Sequence, residues 1–200
     1  MSAAASILAS SPTLSQAPYW YLTRSTGITA FVLLTVSMAF GIAATHRALA
    51  SPAWPRFATQ SLHRNVSLLS LAFLAVHIVT TIVDGFVTIS WWAVVVPFMS
   101  DYRTLWVALG TIAFDLTLIV IVSSQLRLRM SVSLWRRIHL TAYAAWPLAF
   151  VHFLNTGTDA AHGRFGIWID IGCAGVIAAA LAVRVVAGDN TPRPLRSLVR

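Results

Sequence analysis

Four histidines lie at paired spacings within apolar sequence. His63 and His77 are 14 positions apart, and His139 and His152 are 13 apart. Because an α-helix rises about 1.5 Å per residue, each pair would span roughly 20 Å along its helix. Ionisable side chains are rare in membrane-spanning sequence and are usually functional there. If the two helices run parallel, they present two imidazoles at each of two depths.

Two imidazoles at each depth suit haem iron better than zinc. Structural zinc takes four protein ligands and catalytic zinc three, at about 2 Å, and the two histidines of one helix are too far apart to share an ion. Haem supplies four nitrogens itself and needs two axial ligands from the protein. The pattern therefore predicts two haem sites. The plainer alternative is four histidines that only form hydrogen bonds within a helix bundle.

The two spacings fit a helix unequally. At about 100° per residue, 14 positions return to within roughly 40° of the starting face, whereas 13 positions miss it by roughly 140°. Pro147 lies between His139 and His152 and removes a backbone hydrogen bond. We therefore expect the second histidine helix to kink or rewind near Pro147.

The elements that must position these histidines are transmembrane helices. Hydrophobic residues make up 58% of the 200 and charged residues only 10%, with a mean hydropathy of +0.75, whereas a soluble domain carries about a quarter charged residues. We predict an all-α integral membrane bundle at residues 26–187, with tails at 1–25 and 188–200. Its five transmembrane helices approach the roughly 20 residues needed to span a bilayer, and they cover residues 26–45, 65–83, 105–123, 138–154 and 166–183.

The arginines predict the orientation. All 14 basic residues are arginine and the formal net charge is +8. Most lie between helices one and two, between helices three and four, and after helix five, so the positive-inside rule places the N-terminus outside and the C-terminus in the cytoplasm of a multi-pass plasma-membrane protein. Because they occupy short loops, nucleic-acid binding is not expected. Helices two and four then run parallel, which pairs His63 with His139 near the cytoplasm and His77 with His152 towards the outside.

Other residues carry weaker signals. Cys173 is the single cysteine, so no covalent CxxCH haem attachment is possible and any haem is held non-covalently. Asp115, in the third span, could relay protons or be a neutral hydrogen-bonded acid, and Asp170 could pair with Arg164. Three arginines lie close in sequence to the inner histidines, namely Arg64, Arg136 and Arg137. They could bind the propionates of the inner haem or act only as topology signals. The outer loop with Gly157, Asp159 and His162 could bind an acceptor or metal, or be an ordinary surface loop.

The double spacing H-x13-H and H-x12-H resembles the ferric reductase-like transmembrane family. That family includes the NADPH oxidases and the haem-binding membrane subunit of bacterial methionine sulfoxide reductase systems. The resemblance covers about residues 26–187, and Leu62-His63-Arg64-Asn65 and Trp135-Arg136-Arg137-Ile138-His139 stand where the family places its inner haem site. It implies an inner haem b on His63 and His139 and an outer haem b on His77 and His152.

The sequence also departs from that family. Many relatives have six helices, whereas this chain shows five. The oxidases and ferric reductases add a flavin and nicotinamide domain, but here about 15 residues follow helix five and no glycine-rich dinucleotide motif occurs. We therefore expect no flavin or nicotinamide site in this chain, and electrons supplied by a separate donor protein or by quinol.

These observations predict a two-haem membrane cytochrome b that passes electrons from the cytoplasmic side to an outer acceptor. Two axial histidines leave no open position on iron, so electron transfer is expected rather than substrate activation. Rival interpretations are a quinol-linked cytochrome, whose histidines usually occupy four helices, and a metal or proton transporter that uses histidines as waypoints. A structural membrane subunit without a cofactor is the last alternative.

Overall fold

The computed structural model of the chain describes residues 17–44, 56–84, 87, 89–156 and 164–189. Within these ranges the regular structure is entirely helical. They contain six α-helices, and 3₁₀ turns occur at Trp91–Val94 and Arg127–Arg129. The helices are α1 (Ala17–Ala44), α2 (Arg56–Val83), α3 (Thr104–Gln125), α4 (Val132–His139), α5 (Ala142–Thr156) and α6 (Arg164–Asp189).

Four of these helices, α1, α2, α3 and α6, are long and apolar enough to cross a bilayer. Their candidate spans are Pro18–Ala44, Phe57–Val83, Thr104–Gln125 and Gly166–Val186. Many large apolar side chains on them face outward, as at Val76, Ile119 and Val185. Small residues such as Ala30, Ala108 and Ala145 are buried instead, which is the arrangement of helices that pack closely inside lipid. The chain is a multi-pass membrane protein, and the predicted all-α membrane bundle is confirmed.

The fourth predicted span differs from a single helix. It is divided into α4 and α5, with Leu140 and Thr141 between them. At the junction the Thr141 N–H donates to the Ile138 carbonyl at 3.0 Å, and the Tyr143 N–H donates to the Leu140 carbonyl at 3.1 Å. These are tight i→i−3 bonds, which advance the chain by about 120° per residue rather than about 100°. The interruption predicted near Pro147 therefore occurs six residues earlier, and Pro147 lies inside α5.

Two helices begin earlier than the apolar pattern predicts. α1 starts at Ala17, nine residues before the predicted boundary at 26, and Pro18 is tolerated because the first-turn N–H groups have no helical partner. α2 starts at Arg56, so His63 lies inside a continuous helix with His77. The first 16 residues and the basic C-terminal tail from residue 190 lie outside the described part of the chain.

The packing leaves room between the two histidine-bearing walls. α1 lies along α2, α3 lies along α5, and α6 packs mainly on α1. In the described ranges, α2 and α5 make little direct contact with each other. The bundle therefore consists of two close helix pairs that face one another across a gap, and the paired histidines lie on the two sides of it.

Candidate functional site

The pair that the sequence places towards the outside, His77 and His152, is called the outer pair, and it lines one cavity. His77 from α2 and His152 from α5 both border a cavity of about 300 Å³ whose walls come mainly from α1, α2, α3 and α5. The two imidazoles lie close enough to interact electrostatically. Most of the lining is apolar, which is typical of a site for a flat organic ligand held by a few polar groups.

The inner pair lies at the other end of the bundle. The ring centres of His63 and His139 are 6.1 Å apart, with their planes at 71°. Two metal–nitrogen bonds of about 2 Å, with about 1 Å from each nitrogen to its ring centre, separate two axial imidazoles by about 6 Å. The separation therefore fits one metal atom between the two rings. The histidines that the sequence pairs at two depths are brought together at two depths, and their role as ligands stays a prediction.

Three of the four imidazoles are fixed by backbone carbonyls. Nδ1 of His63 lies 2.8 Å from the Ser37 carbonyl oxygen, and Nδ1 of His77 lies 2.9 Å from that of Thr23. Nδ1 of His152 lies 2.8 Å from the carbonyl oxygen of Trp106. Because a carbonyl can only accept, each Nδ1 must carry the proton and donate it. The Nε2 atom of each neutral ring is then left with a free lone pair, which is the form that binds a metal.

A glycine makes room for each of these three rings. A Cβ atom on Gly110 would lie 2.5 Å from Nδ1 of His152, and one on Gly27 would lie 2.8 Å from Nδ1 of His77. A Cβ on Gly41 would lie 3.2 Å from Cε1 of His63. A side chain larger than hydrogen would displace the rings of His152 and His77, whereas the His63 ring would have to shift by a few tenths of an ångström.

The glycine and the accepting carbonyl are always four residues apart. The pairs are Thr23 with Gly27, Ser37 with Gly41, and Trp106 with Gly110. Side chains on a helix point towards its N-terminus, so the residue at i+4 normally covers the carbonyl of residue i. A glycine at i+4 uncovers that carbonyl, and its second lone pair can accept the imidazole N–H. One local motif thus provides both space and a hydrogen bond.

The sequence contains a signal for this arrangement that our prediction missed. Gly27 and Gly41 on α1 are 14 positions apart, as are His63 and His77 on α2. α1 and α2 are antiparallel, so Gly27 meets His77 and Gly41 meets His63. Two glycines that repeat the histidine interval on the preceding helix could therefore have been recognised from sequence.

His139 is held differently from the other three histidines. Its Nδ1 is buried and has no hydrogen-bond partner within the described ranges. Its ring instead stacks on Trp135, with ring centres 4.9 Å apart and planes at 29°. The Arg127 guanidinium lies 4.8 Å from the centre of the Trp135 ring, which is a cation–π distance. Neither Arg127 nor Trp135 was predicted to support a histidine.

An aromatic layer separates the two histidine levels. Trp146 of α5 donates its indole N–H to Thr35 Oγ1 at 2.9 Å, and it stacks on Phe31 at 5.9 Å and on Phe150 at 5.3 Å. Tyr143 accepts a hydrogen bond from Arg184 of α6 at 2.6 Å.

The remaining predicted site residues are less closely tied to the histidines. Arg64, Arg136 and Arg137 are exposed at the inner end of the bundle, and no hydrogen bond or ion pair fixes them within the part of the chain that the structure describes. Asp115 is half-buried on α3. The outer loop with His162 lies outside the described residues.

A comparison with protein families identifies the fold type. The family described as ferric reductase like transmembrane component matches residues 26–150, which is well over half of the chain. The chain belongs to this family. The matched region contains three of the four histidines and all three glycines that face them. Members of this family are transmembrane electron-transfer domains of oxidoreductase type and generally bind haem. Comparisons with curated proteins and with solved structures find no match.

Proposed function

We propose that this chain is a di-haem b-type cytochrome that moves electrons across the membrane, from a cytoplasmic-side donor to an acceptor on the outer side. The observation that supports this most strongly is the arrangement of two imidazole pairs at two depths, with three rings fixed in the metal-binding tautomer by backbone carbonyls.

The donor set fits haem better than any other metal centre. Within the described ranges, no group of three or more histidine, cysteine or acidic side chains could hold a bare metal ion. Each level instead offers two imidazoles, and haem needs two axial ligands. In this proposal His63 and His139 hold the inner haem, and His77 and His152 hold the outer haem.

The protein's contribution follows from the contacts of these rings. A hydrogen bond from Nδ1–H to a carbonyl orients the imidazole and makes Nε2 a stronger electron donor. The cavity that the outer pair borders has a mostly apolar lining. Haem, when bound, supplies the one-electron redox chemistry. Two levels roughly 20 Å apart along their helices divide the crossing of a hydrocarbon layer of about 30 Å into shorter steps.

The cytoplasmic end carries positive charge that could bind an electron donor or the haem propionates. Arg64, Arg136 and Arg137 are exposed there, close in sequence to the inner histidines. We infer that they pair with the propionates of the inner haem. The positive-inside rule supports the same orientation, with the N-terminus outside. The electron donor in this proposal is a separate flavoprotein or a quinol.

A difference spectrum with haem quantification tests the proposal. The full chain, purified in detergent from haem-replete cells, should contain two haems b per chain and show the low-spin bands of bis-histidine ligation in the reduced-minus-oxidised spectrum. His63→Ala and His139→Ala should each remove the inner haem, while His77→Ala and His152→Ala should each remove the outer one.

Matched controls use the two histidines outside the quartet. His46→Ala and His162→Ala should retain both haems, which separates axial ligation from a general loss of histidine. A colourless wild-type protein would reject the cytochrome proposal and favour the transporter alternative.

A further inference from the structure

Asp170 on α6 is a buried acid that the proposed relay does not use. It is 3% exposed, and neither of its carboxylate oxygens has a hydrogen-bond partner in the described ranges. The Arg164 side chain lies outside the described part of the chain, so the pairing suggested by the sequence stays a prediction. An ionised carboxylate without a partner in a membrane interior is costly. Asp170 must therefore be neutral, or its protonation state must change when the charge near it changes.

The position of Asp170 along the bundle follows from its neighbours. Asp170 lies one turn before Cys173 on α6, and the Cys173 thiol lies close to the Thr35 hydroxyl of α1. On α1, Thr23 and Gly27 meet the outer histidine His77, while Ser37 and Gly41 meet the inner histidine His63. Thr35 lies between these points, so Asp170 lies near the depth that separates the two histidine levels.

A chain of side-chain contacts links Asp170 to the space between the levels. The Cys173 thiol lies close to the Thr35 side chain, and Thr35 Oγ1 accepts the Trp146 indole N–H at 2.9 Å. Trp146 in turn belongs to the aromatic layer between the two histidine pairs. α6, α1 and α5 are thereby connected at one depth, and Thr35 at the centre is only 2% exposed.

Other ionisable groups on these helices lie elsewhere. The helices that pack substantially on the described part of α6 are α1 and α5. Their ionisable residues are Tyr19, Tyr21 and Arg24 near the outer start of α1, and Tyr143 and His152 on α5. On α6 itself these are Cys173, Arg184, and the terminal Arg164 and Asp189. Asp170 is thus the acid nearest the middle of the relay on these three helices.

We propose that Asp170 binds a proton when the haem pair accepts an electron, and releases it when the electron leaves. This inference rests on the proposed function. An added negative charge in a low-dielectric interior interacts strongly with a carboxylate, so reduction favours the neutral acid. The electron comes from the donor of the relay and the proton from water. One electron and one proton together leave the net charge of the interior unchanged.

Potentiometric titration of the haems at a series of pH values tests this inference. The midpoint potential of wild-type holoprotein should fall as pH rises, because a bound proton favours the reduced state. Asp170→Asn should abolish that dependence and hold the potential at the acid-limit value of the wild type, because asparagine imitates the neutral acid. Asp170→Glu should restore the dependence, and Asp115→Asn, a change of another membrane acid, should leave it intact.

An infrared difference spectrum gives a second measurement on the unaltered sequence. Reduction of wild-type protein with isotopically labelled aspartate should produce a carboxylic-acid C=O band that shifts with the label. A wild type with two haems but no such band, or an Asp170→Asn protein with wild-type pH dependence, would overturn the inference and leave the relay standing. A protein without haem would overturn both.

Discussion

The outer and inner histidine pairs are held by different means. Both outer rings, His77 and His152, donate to carbonyls that a glycine exposes on a neighbouring helix. In the inner pair only His63 has this arrangement. His139 lies at the last residue of α4 and rests on the face of Trp135.

This difference follows from the break in the chain. Thirteen positions along one continuous helix would turn His139 and His152 to different faces. The junction at Leu140 and Thr141 separates them onto two helices, so that each can face its own partner. The ring of His139 thereby lies beside His63, but no carbonyl in the described ranges accepts a hydrogen bond from its Nδ1. The outer pair is thus the more rigidly preorganised, and the inner pair depends more on side-chain stacking.

Replacement of the glycines by alanine should produce the largest difference in haem binding between the two levels. Gly110→Ala places a Cβ 2.5 Å from Nδ1 of His152, so the ring must leave the Trp106 carbonyl. Loss of such a supporting partner weakens metal binding by about 10–100-fold. Gly110→Ala should therefore lose the outer haem and keep the inner one. Gly41→Ala, with a contact of 3.2 Å to His63, should weaken the inner haem by less. Haem content and the spectrum of each variant measure both effects.

Two glycines on α6 provide matched controls for this prediction. A Cβ on Gly172 or Gly175 would meet nothing within 4 Å. Gly172→Ala and Gly175→Ala should therefore retain both haems with wild-type affinity. Equal haem loss in Gly110→Ala and Gly175→Ala would show that alanine damages the bundle generally, and would refute the idea that these glycines make room for histidine rings.

A smaller effect, confined to the inner level, is expected at Trp135. Aromatic stacking of this kind contributes about 0.5–1.5 kcal/mol, which corresponds to at most about a tenfold change in affinity. Trp135→Ala should make the inner haem dissociate up to about tenfold faster, because His139 loses the surface against which its ring rests. Trp135→Phe keeps an aromatic face and should behave like the wild type. Transfer of haem to apomyoglobin measures both rates, and faster release from the outer level alone would contradict the assignment.

The sequence was sufficient for the all-α membrane bundle and for the histidine pairing by depth, because apolar length, arginine placement and the two spacings are local patterns. The division between α4 and α5 was not predictable in position. Pro147 is the conspicuous helix breaker in the segment, yet α5 continues through it, and the break occurs where Leu140 and Thr141 carry no strong turn signal. The α1 boundary was also misplaced, since Tyr19 to Ser25 are less apolar than the residues that follow.

The supporting contacts were harder to predict because they involve backbone atoms. The carbonyls of Thr23, Ser37 and Trp106 leave no trace in residue type at the accepting position. Only the glycine four residues later marks each of them. The stack of Arg127 and Trp135 on His139 likewise depends on a tertiary arrangement of two short segments. These features required the structure, whereas the ligand candidates did not.

The smallest expected effect is on thermal stability, and it comes from an acid that lies at the cavity of the outer level. Asp84 follows α2, is 7% exposed and lines the cavity of the outer pair, and burial raises the pKa of its carboxyl above the usual 3.8. Below that usual value both the folded and unfolded states are protonated, and Asp84 contributes nothing to pH dependence. As pH rises, the unfolded state ionises first, so stability falls until the raised pKa is passed.

The Asp84→Asn variant should therefore melt at a slightly higher temperature than wild type near neutral pH and at the same temperature in acid. Asp101→Asn, an exposed change in the same loop, should match wild type throughout. A lower melting temperature for Asp84→Asn at neutral pH would mean that the carboxylate is stabilised by a partner in the outer cavity, and the outer level would then be held by charge as well as by its two carbonyls.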